Sequence, residues 1–187
     1  MKPILIDFPN EFITERLHIR LPRPDDGKIV YESIKSSLTE LKEWMSFART
    51  EQTIEDVEAN IRESHAAFLK REDLRLLLFH KETGELIGSS GLHRIDWAVR
   101  KFEIGYWIDS RFSGKGYMTE AVRGITEFAF NELEARRVEI RCDVKNVRSR
   151  KIAERVDYDL EGILRNEKLS IDGDETRDTC VYATIKN

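Results

Sequence analysis

The sequence is poor in cysteine, and this scarcity excludes two classes of protein. Its two cysteines, Cys142 and Cys180, form no C-x-x-C pair, and no histidine lies at metal-ligand spacing from them. A disulfide framework and a cysteine-based metal site are therefore not expected. Each cysteine lies in an alternating apolar stretch, which predicts buried free thiols and fits the reducing cytoplasm.

Long apolar runs and linkers are also missing. No stretch approaches the roughly 20 apolar residues that cross a bilayer, and Met1–Phe8 has one Lys and too few apolar residues for a signal peptide. The 187 residues include 10 glycines and 4 prolines, without repeats or low-complexity segments. We therefore predict a single domain over residues 1–187, in the cytoplasm and without membrane contact.

The chain has little excess charge of either sign. Its 31 Lys and Arg residues against 35 Asp and Glu residues give a net charge of −4. Dedicated nucleic-acid binders usually carry a basic excess, so direct nucleic-acid binding is not expected.

What is present is a periodicity that predicts an α+β chain. Strands are predicted at 12–21, 74–79, 86–92, 102–108, 138–144, 158–169 and 179–185. Helices are predicted at 29–44, 53–68, 117–133 and 147–156, with Thr53 capping the second. The three strands from 74 to 108 are spaced as an antiparallel meander, and the strand–helix–strand unit after them implies a parallel pair in a mixed sheet.

The most informative segment is Glu103–Ala121, where a strand leads through a glycine-containing loop into a helix. The first N–H groups of a helix have no partner within it, and the helix dipole adds positive charge there. Gly114 and Gly116 permit positive φ and close approach of an anion, and Arg111 and Lys115 add two charges. We predict a phosphate-binding site at this helix start.

Three kinds of phosphate site can be built in this way. A P-loop requires G-x-x-x-x-G-K-[ST], but here Lys115 lies between the glycines and Tyr117 follows them. A dinucleotide fingerprint requires a third glycine where this chain has Thr119. The third kind is a site for the pyrophosphate of coenzyme A, and a plain glycine turn is the alternative to all three.

Residues 111–116, Arg-Phe-Ser-Gly-Lys-Gly, match the acyl-CoA signature [RQ]-x-x-G-x-[GA] of the GNAT superfamily. The chain resembles the RimJ/RimL branch, the ribosomal-protein N-terminal acetyltransferases. The resemblance is carried by Thr14–Arg20, Gly105–Ile108, Gly114–Ala121, Asn146-x-x-Ser149 and Tyr158-x-x-Glu161-Gly162. It implies the α+β GNAT fold: a mixed, mostly antiparallel sheet of about seven strands flanked by about four helices, with a splayed central strand pair.

The resemblance also implies acetyl-CoA as cosubstrate, no metal, and a location for the binding site. The amides of Ser113–Met118 would hold the pyrophosphate, and the strand ending Trp107–Ile108 would bind the pantetheine arm. The residues expected to bind the cosubstrate are Trp107, Ile108, Arg111, Phe112, Ser113, Gly114, Lys115, Gly116, Tyr117, Met118, Thr119, Asn146 and Ser149. Arg148 and Arg150 are candidates for the 3′-phosphate, with a solvated face as the alternative.

Acetyl transfer needs a base for the amine and an acid for the departing thiolate. The resemblance places Ser149 near the thioester sulfur as the candidate acid; a helix cap at Asn146 followed by a first-turn serine is the alternative. Glu103 is the first candidate base, directly or through water, because it shares a strand face with Gly105. The alternative for Glu103 is a solvated carboxylate at a strand end. His93 is the second candidate base, because an ordinary imidazole titrates near neutral pH.

The sequence also contains aromatic residues that either pack in the core or line the site. Tyr106, on the strand face opposite Glu103, is expected to pack in the core. Trp44, Phe47 and Trp97 are candidates for lining the amine site, with core packing as the alternative. Asp157 stands where the family usually has a glycine that ends the short helix in a left-handed conformation. Asp tolerates this conformation less well than glycine, so we expect a local adjustment there with the activity retained.

The predicted reaction is acetylation of a primary amine, foremost the N-terminal α-amino group of a ribosomal protein. Direct attack is expected, because the sequence has no Cys–His or Ser–His nucleophile signature. An acetyltransferase for a small amine, antibiotic or metabolite, and an acyl-CoA-binding module without turnover, are the alternatives. The resemblance also allows a homodimer, because family members often pair.

Overall fold

The computed structural model describes residues 2–186 and builds them into one eight-stranded sheet with flanking helices. The spatial order of the strands is β1-β2-β3-β4-β5-β6-β8-β7. The strands are β1 Glu11–Ile13, β2 Leu17–Arg20, β3 Leu74–His80, β4 Leu86–Asp96, β5 Lys101–Ile108, β6 Arg137–Asp143, β7 Asp159–Leu169 and β8 Thr176–Ile185. The α-helices are α1 Gly27–Ser36, α2 Leu38–Leu41, α3 Ile54–Lys70, α4 Tyr117–Glu132 and α5 Val147–Arg155.

Neighbouring strands pair antiparallel except β5 and β6, which pair parallel. The parallel register covers only Lys101–Glu103 against Arg137–Glu139. Beyond these residues β5 continues on β4 alone and β6 on β8 alone. The predicted parallel pair and its splay are both confirmed, and a gap opens in the middle of the sheet.

Alternation along the strands gives the sheet two buried faces. On one face, Leu76 and Ile104 pack with the apolar stripe of α4, which includes Val122 and Ile125. On the other face, Leu77 and Trp107 pack with residues of α1 and α3, among them Val30, Ile34, Val57 and Ile61. The central strands therefore position side chains toward two different sets of helices.

Local signals predicted several element ends correctly. Thr53 Oγ1 accepts from the Asp56 N–H at 3.1 Å, and the Asp56 carboxylate accepts from the Thr53 N–H at 2.8 Å, which completes a capping box on α3. Asn146 Oδ1 caps α5 through the Ser149 N–H at 3.0 Å. Asp157, shortly after α5, adopts a left-handed conformation, with φ of 61°.

The early part of the chain differs from the prediction. The single strand expected at 12–21 is a hairpin, because the chain turns back at Thr14, whose N–H bonds the Leu17 carbonyl at 2.9 Å. The helix expected at 29–44 divides at Ser37, which is buried and accepts the Ser110 N–H at 2.9 Å. These two breaks account for eight strands and five helices instead of about seven and four.

Cys142 and Cys180 lie opposite each other on β6 and β8, and both are buried free thiols, as predicted. None of the helices in residues 2–186 combines the length and the apolar character required to span a bilayer. In the same residues, His, Cys, Asp and Glu side chains form no group of three or more suited to a metal ion.

Candidate active site

A cavity of about 1030 Å³, here called the central groove, lies where β5 and β6 separate. Ile104–Ile108 of β5 and Ile140–Asp143 of β6 form its walls, and the N-terminal ends of α4 and α5 meet it. Because the splay removes the β6 partner from this half of β5, one edge of β5 has backbone groups available to a ligand.

The loop before α4 supplies a run of free amides. The backbone N–H groups of Gly114–Thr119, here called the amide cradle, have no acceptor among the described residues. Gly114 and Gly116 hold the required left-handed conformation, with φ of 77° and 83°. Ser113 differs from the expectation, because its N–H donates to the Ser110 carbonyl at 3.2 Å. The free amides therefore begin one residue later than predicted.

The basic side chains of this loop do not line the groove. Arg111 forms two bonds to the buried Asp109 carboxylate, from Nε at 3.0 Å and from Nη2 at 2.6 Å. Burial would raise the pKa of Asp109, but the bonds from Arg111 and Ser33 hold it below its ordinary value. The Lys115 ammonium lies over the Phe112 ring, and Tyr117 packs against the same ring. Within this loop, the groups left to attract an anion are therefore the unpaired amides and the helix dipole.

Ser149 and Tyr106 form a pair at the wall of the groove. The Tyr106 hydroxyl donates to the Ser149 carbonyl at 3.1 Å and lies 2.9 Å from Ser149 Oγ. Burial raises the pKa of Tyr106, so its hydroxyl remains a neutral donor. The sequence predicts core packing for Tyr106 and does not predict this contact. The available signal was its strand face, opposite to Glu103 and therefore on the side of α5.

Cys142 also lines the groove beside Ser149. Burial raises the pKa of this thiol to about 11, although the hydrogen bond with Ser149 opposes the rise. Cys142 is therefore a neutral thiol near pH 7 and a poor nucleophile.

A second cavity of about 400 Å³, here called the side cavity, lies on the α1 and α3 face of the sheet. Its walls include Phe47, Arg75, Ser89 and His93. The two cavities share Met45, Gly105, Tyr106 and Trp107 as lining residues. They therefore meet across the backbone of β5 at the point where the strands separate.

His93 is oriented toward this shared wall. Its Nδ1 lies 2.7 Å from the Asp73 carboxylate, which holds the ring and leaves Nε2 directed away from that contact. A Cβ built on Gly105 would lie 3.4 Å from His93 Nε2 and 3.1 Å from Cδ2. Because Gly105 has no side chain, the imidazole of His93 can lie close against β5.

Glu103 lies outside both cavities. Its carboxylate accepts from Arg94 at 3.2 Å, at the end of β5 that is still paired with β6. Burial raises the pKa of Glu103, while Arg94 and Arg141 oppose the rise. Of the two residues predicted as candidate bases, only His93 therefore lines a cavity.

The remaining candidates divide between the cavities and the core. Trp44 lines the central groove and Phe47 lines the side cavity. Trp97 lines neither, because its indole donates to the Arg71 carbonyl at 2.8 Å and its ring packs on Phe102. Exposed Arg148 lines the groove, whereas Arg150 is bonded to the Tyr182 hydroxyl at 3.3 Å.

Comparison with known proteins agrees with this geometry. Residues 16–159 match the family described as "Acetyltransferase (GNAT) domain". The chain is 34% identical over 155 residues to "Putative ribosomal N-acetyltransferase YdaF" of Bacillus subtilis (strain 168), covering 82% of this chain and 84% of the relative. It is 27% identical over 173 residues to "Ribosomal-protein-serine acetyltransferase" of Escherichia coli (strain K12), covering 92% and 94%.

Solved structures show the same fold. "RimL- Ribosomal L7/L12 alpha-N-protein acetyltransferase in complex with Coenzyme A" superposes with a TM-score of 0.86 at 20% identity, over 93% of this chain and 96% of that one. "Microcin C7 self immunity acetyltransferase MccE in complex with Acetyl-CoA and AMP" gives 0.85 at 23% identity, over 92% and 94%.

Fold and family together define the protein as an acyltransferase. The chain belongs to the GNAT acetyltransferase family, and the predictions of the α+β GNAT fold and of an N-acetyltransferase that uses acetyl-CoA are confirmed.

Proposed function

We propose that this enzyme acetylates the N-terminal α-amino group of a protein, of the kind that ribosomal-protein acetyltransferases modify. The observation that carries the proposal is the wall shared by two cavities at Gly105–Trp107. The free amides lie at the central groove, and His93 lies in the side cavity. The names of two relatives support a ribosomal-protein acceptor.

The central groove fits acetyl-CoA, which supplies the acetyl group as a thioester. The amide cradle would receive the diphosphate, because unpaired amides at a helix start favour anions. The open edge of β5, including Trp107 and Ile108, would pair with the amide groups of the pantetheine arm. Asn146 and Ser149 line the groove at the start of α5.

The proton of the amine would pass to His93 Nε2, directly or through water. Asp73 holds the ring through Nδ1 and stabilises the imidazolium that forms. Ser149, bonded to the Tyr106 hydroxyl, would donate a proton to the thiolate that departs as the C–S bond breaks, and would regain one from water in the open groove. Neither Ser149 nor Cys142 has His93 as a hydrogen-bond partner, so the arrangement favours direct attack by the amine without a covalent enzyme intermediate.

Two properties favour a protein N-terminus as the acceptor. An α-amino group has a reference pKa near 8, so more of it is neutral at pH 7 than of a lysine side chain. The net charge of −4 also favours encounter with basic proteins such as those of the ribosome.

The test is release of CoA thiol across three sets of acceptors: peptides with ribosomal-protein N-termini, polyamines, and aminoglycosides. Mass spectrometry of the peptides then locates the acetyl group. We expect turnover of peptides with acetylation at the α-amine. Thiol release with the small amines alone would reject the protein acceptor, and acetylation of lysine side chains alone would reject the α-amine.

A further inference from the structure

Arg75 places a guanidinium in the wall of the side cavity. It extends from β3 on the same sheet face as Leu77 and makes three hydrogen bonds, all to neutral groups. Nε donates to Ser89 Oγ at 3.2 Å, and Nη1 donates to Asn60 Oδ1 at 2.6 Å and to Ser64 Oγ at 3.2 Å. Nη2 has no acceptor among the described residues, and the atom is not fully enclosed by protein.

No carboxylate of the described residues forms an ion pair with Arg75. Asp73 is the acidic group that acts on it most strongly, but the Asp73 carboxylate is bonded to His93 at 2.7 Å. Asp56 also lines the cavity, and its carboxylate is bonded to the backbone and hydroxyl of Thr53. Both acids beside the cavity therefore have other partners.

A charged group withdrawn from water normally has a partner of opposite charge. Burial lowers the pKa of Arg75, which reflects this cost, yet a guanidinium stays protonated near neutral pH. Its hydrogen-bond partners are neutral, and Asp73, which is bonded to His93, offsets its charge only in part. The remaining donors on Nη2 match the geometry of a carboxylate or phosphate oxygen.

Arg75 and His93 line the same small cavity. Arg75 lies opposite Gly91 in the β3–β4 register, and His93 lies two residues further along β4. An acceptor whose amine reaches His93 would therefore bring its adjacent atoms to Arg75.

We propose that the preferred acceptor carries an anionic group close to its reactive amine and that Arg75 binds this group. This inference rests on the proposed function, because it concerns the acceptor of the same site. For a protein N-terminus, the anion would be an Asp or Glu side chain within the first two residues. For a small acceptor, it would be a carboxylate or phosphate on the carbon skeleton of the amine.

The competing explanation is that Arg75 only ties α3 to β3 through Asn60 and Ser64. That role predicts a loss of stability on substitution and no selectivity for charge. Selectivity is therefore the readout that separates the two explanations.

The first experiment uses the unaltered enzyme with matched acceptors. Peptides that differ only as Asp against Asn, or Glu against Gln, at residue one or two are compared by kcat/KM. An amino acid against its amide, and phosphoethanolamine against ethanolamine, form the small-molecule arm. We expect a preference of about tenfold or more for the anionic member in at least one arm, as one charge-assisted hydrogen bond provides. Equal rates within every pair would overturn the inference while leaving the proposed function intact.

The second experiment assigns any preference to Arg75. Arg75→Gln should reduce the ratio between anionic and neutral acceptors, and Arg75→Lys should retain part of it because the charge remains. Arg62→Gln is the control, since Arg62 is exposed on α3 and lines neither cavity. A preference that persists in folded Arg75→Gln would overturn the assignment. No thiol release by the unaltered enzyme with any amine would count against the proposed function.

Discussion

At the scale of single residues, the two base candidates differ by location. His93 lies in the side cavity with its Nδ1 held by Asp73, whereas Glu103 is bonded to Arg94 outside both cavities. His93 and Glu103 are directly opposite each other in the β4–β5 register. Of the two, only His93 lines a cavity, so His93 is the group we propose as the base.

His93→Gln should lower kcat/KM by about 10²–10⁴-fold, the usual contribution of a general base. The plot of its kcat/KM against pH should also lose the part that reflects titration of the imidazole. Glu103→Gln is the matched control and should have a much smaller effect. The measurement is kcat/KM against pH with one peptide acceptor, with thermal unfolding to confirm folding. A larger loss in Glu103→Gln than in His93→Gln would reverse the assignment.

Ser149→Ala should lower kcat more than it raises KM for acetyl-CoA, because the hydroxyl is assigned to the departing sulfur. Tyr106→Phe removes the hydroxyl that lies 2.9 Å from Ser149 Oγ and should reduce kcat in the same direction. The double variant should lose little beyond Ser149→Ala, since the two groups act as one unit. Additive losses would show that the two hydroxyls work independently.

At the scale of elements, the amide cradle depends on backbone shape. Gly114 has φ of 77°, and a Cβ added there would have no atom within 4 Å. A substitution at this position therefore tests conformation without steric conflict. The same holds for Gly173 in the β7–β8 turn, with φ of 81°.

Gly114→Ala should raise KM for acetyl-CoA, because alanine disfavours the left-handed conformation by about 1–2 kcal/mol and the free amides would change direction. Gly173→Ala should cost similar stability without changing KM. The measurement is initial rate against acetyl-CoA concentration, together with thermal unfolding of both variants. An unchanged KM in Gly114→Ala would show that these amides do not hold the cosubstrate.

At the scale of the whole molecule, two carboxylates join distant segments. Glu120 on α4 accepts from Thr14 Oγ1 at 2.6 Å and from the Arg16 backbone N–H at 2.7 Å, which fastens the first hairpin to this helix. Asp109 accepts from Ser33 Oγ at 2.8 Å, which joins α1 to the end of β5. Burial opposes ionisation at both sites. The bonds from Arg111 and Ser33 nevertheless lower the pKa of Asp109, and those from Thr14 and Arg16 lower the pKa of Glu120.

Stability should therefore fall in acid. A carboxylate with a lowered folded-state pKa contributes fully above its ordinary pKa, which is 4.5 for Glu120 and 3.8 for Asp109. The contribution is lost as pH falls through the lower folded value. Glu120→Gln should cost about 1–3 kcal/mol at pH 7 and flatten this acid limb.

The measurement is thermal or urea unfolding between pH 7 and pH 3. Glu127→Gln is the control, because Glu127 is exposed on the same helix. A parallel decline in Glu120→Gln and the unaltered protein would show that Glu120 does not contribute to the acid limb.

The sequence by itself determined the elements that local chemistry controls. The periodicity of α4, the capping box on α3 and the glycines of the amide cradle are each encoded within a few neighbouring residues. Helix caps and positive φ depend on side chains at fixed offsets, so they can be derived without the fold. The parallel β5–β6 pair could also be derived, because a crossover helix separates the two strands.

Only the tertiary structure determined which side chains meet. Tyr106 meets Ser149 43 residues later, and Asp73, just before β3, holds His93 on β4. The first hairpin likewise depends on Glu120, which lies more than 100 residues away. Such contacts follow from packing and from the need of buried charges for partners, and neither is expressed in the spacing of residues along the chain.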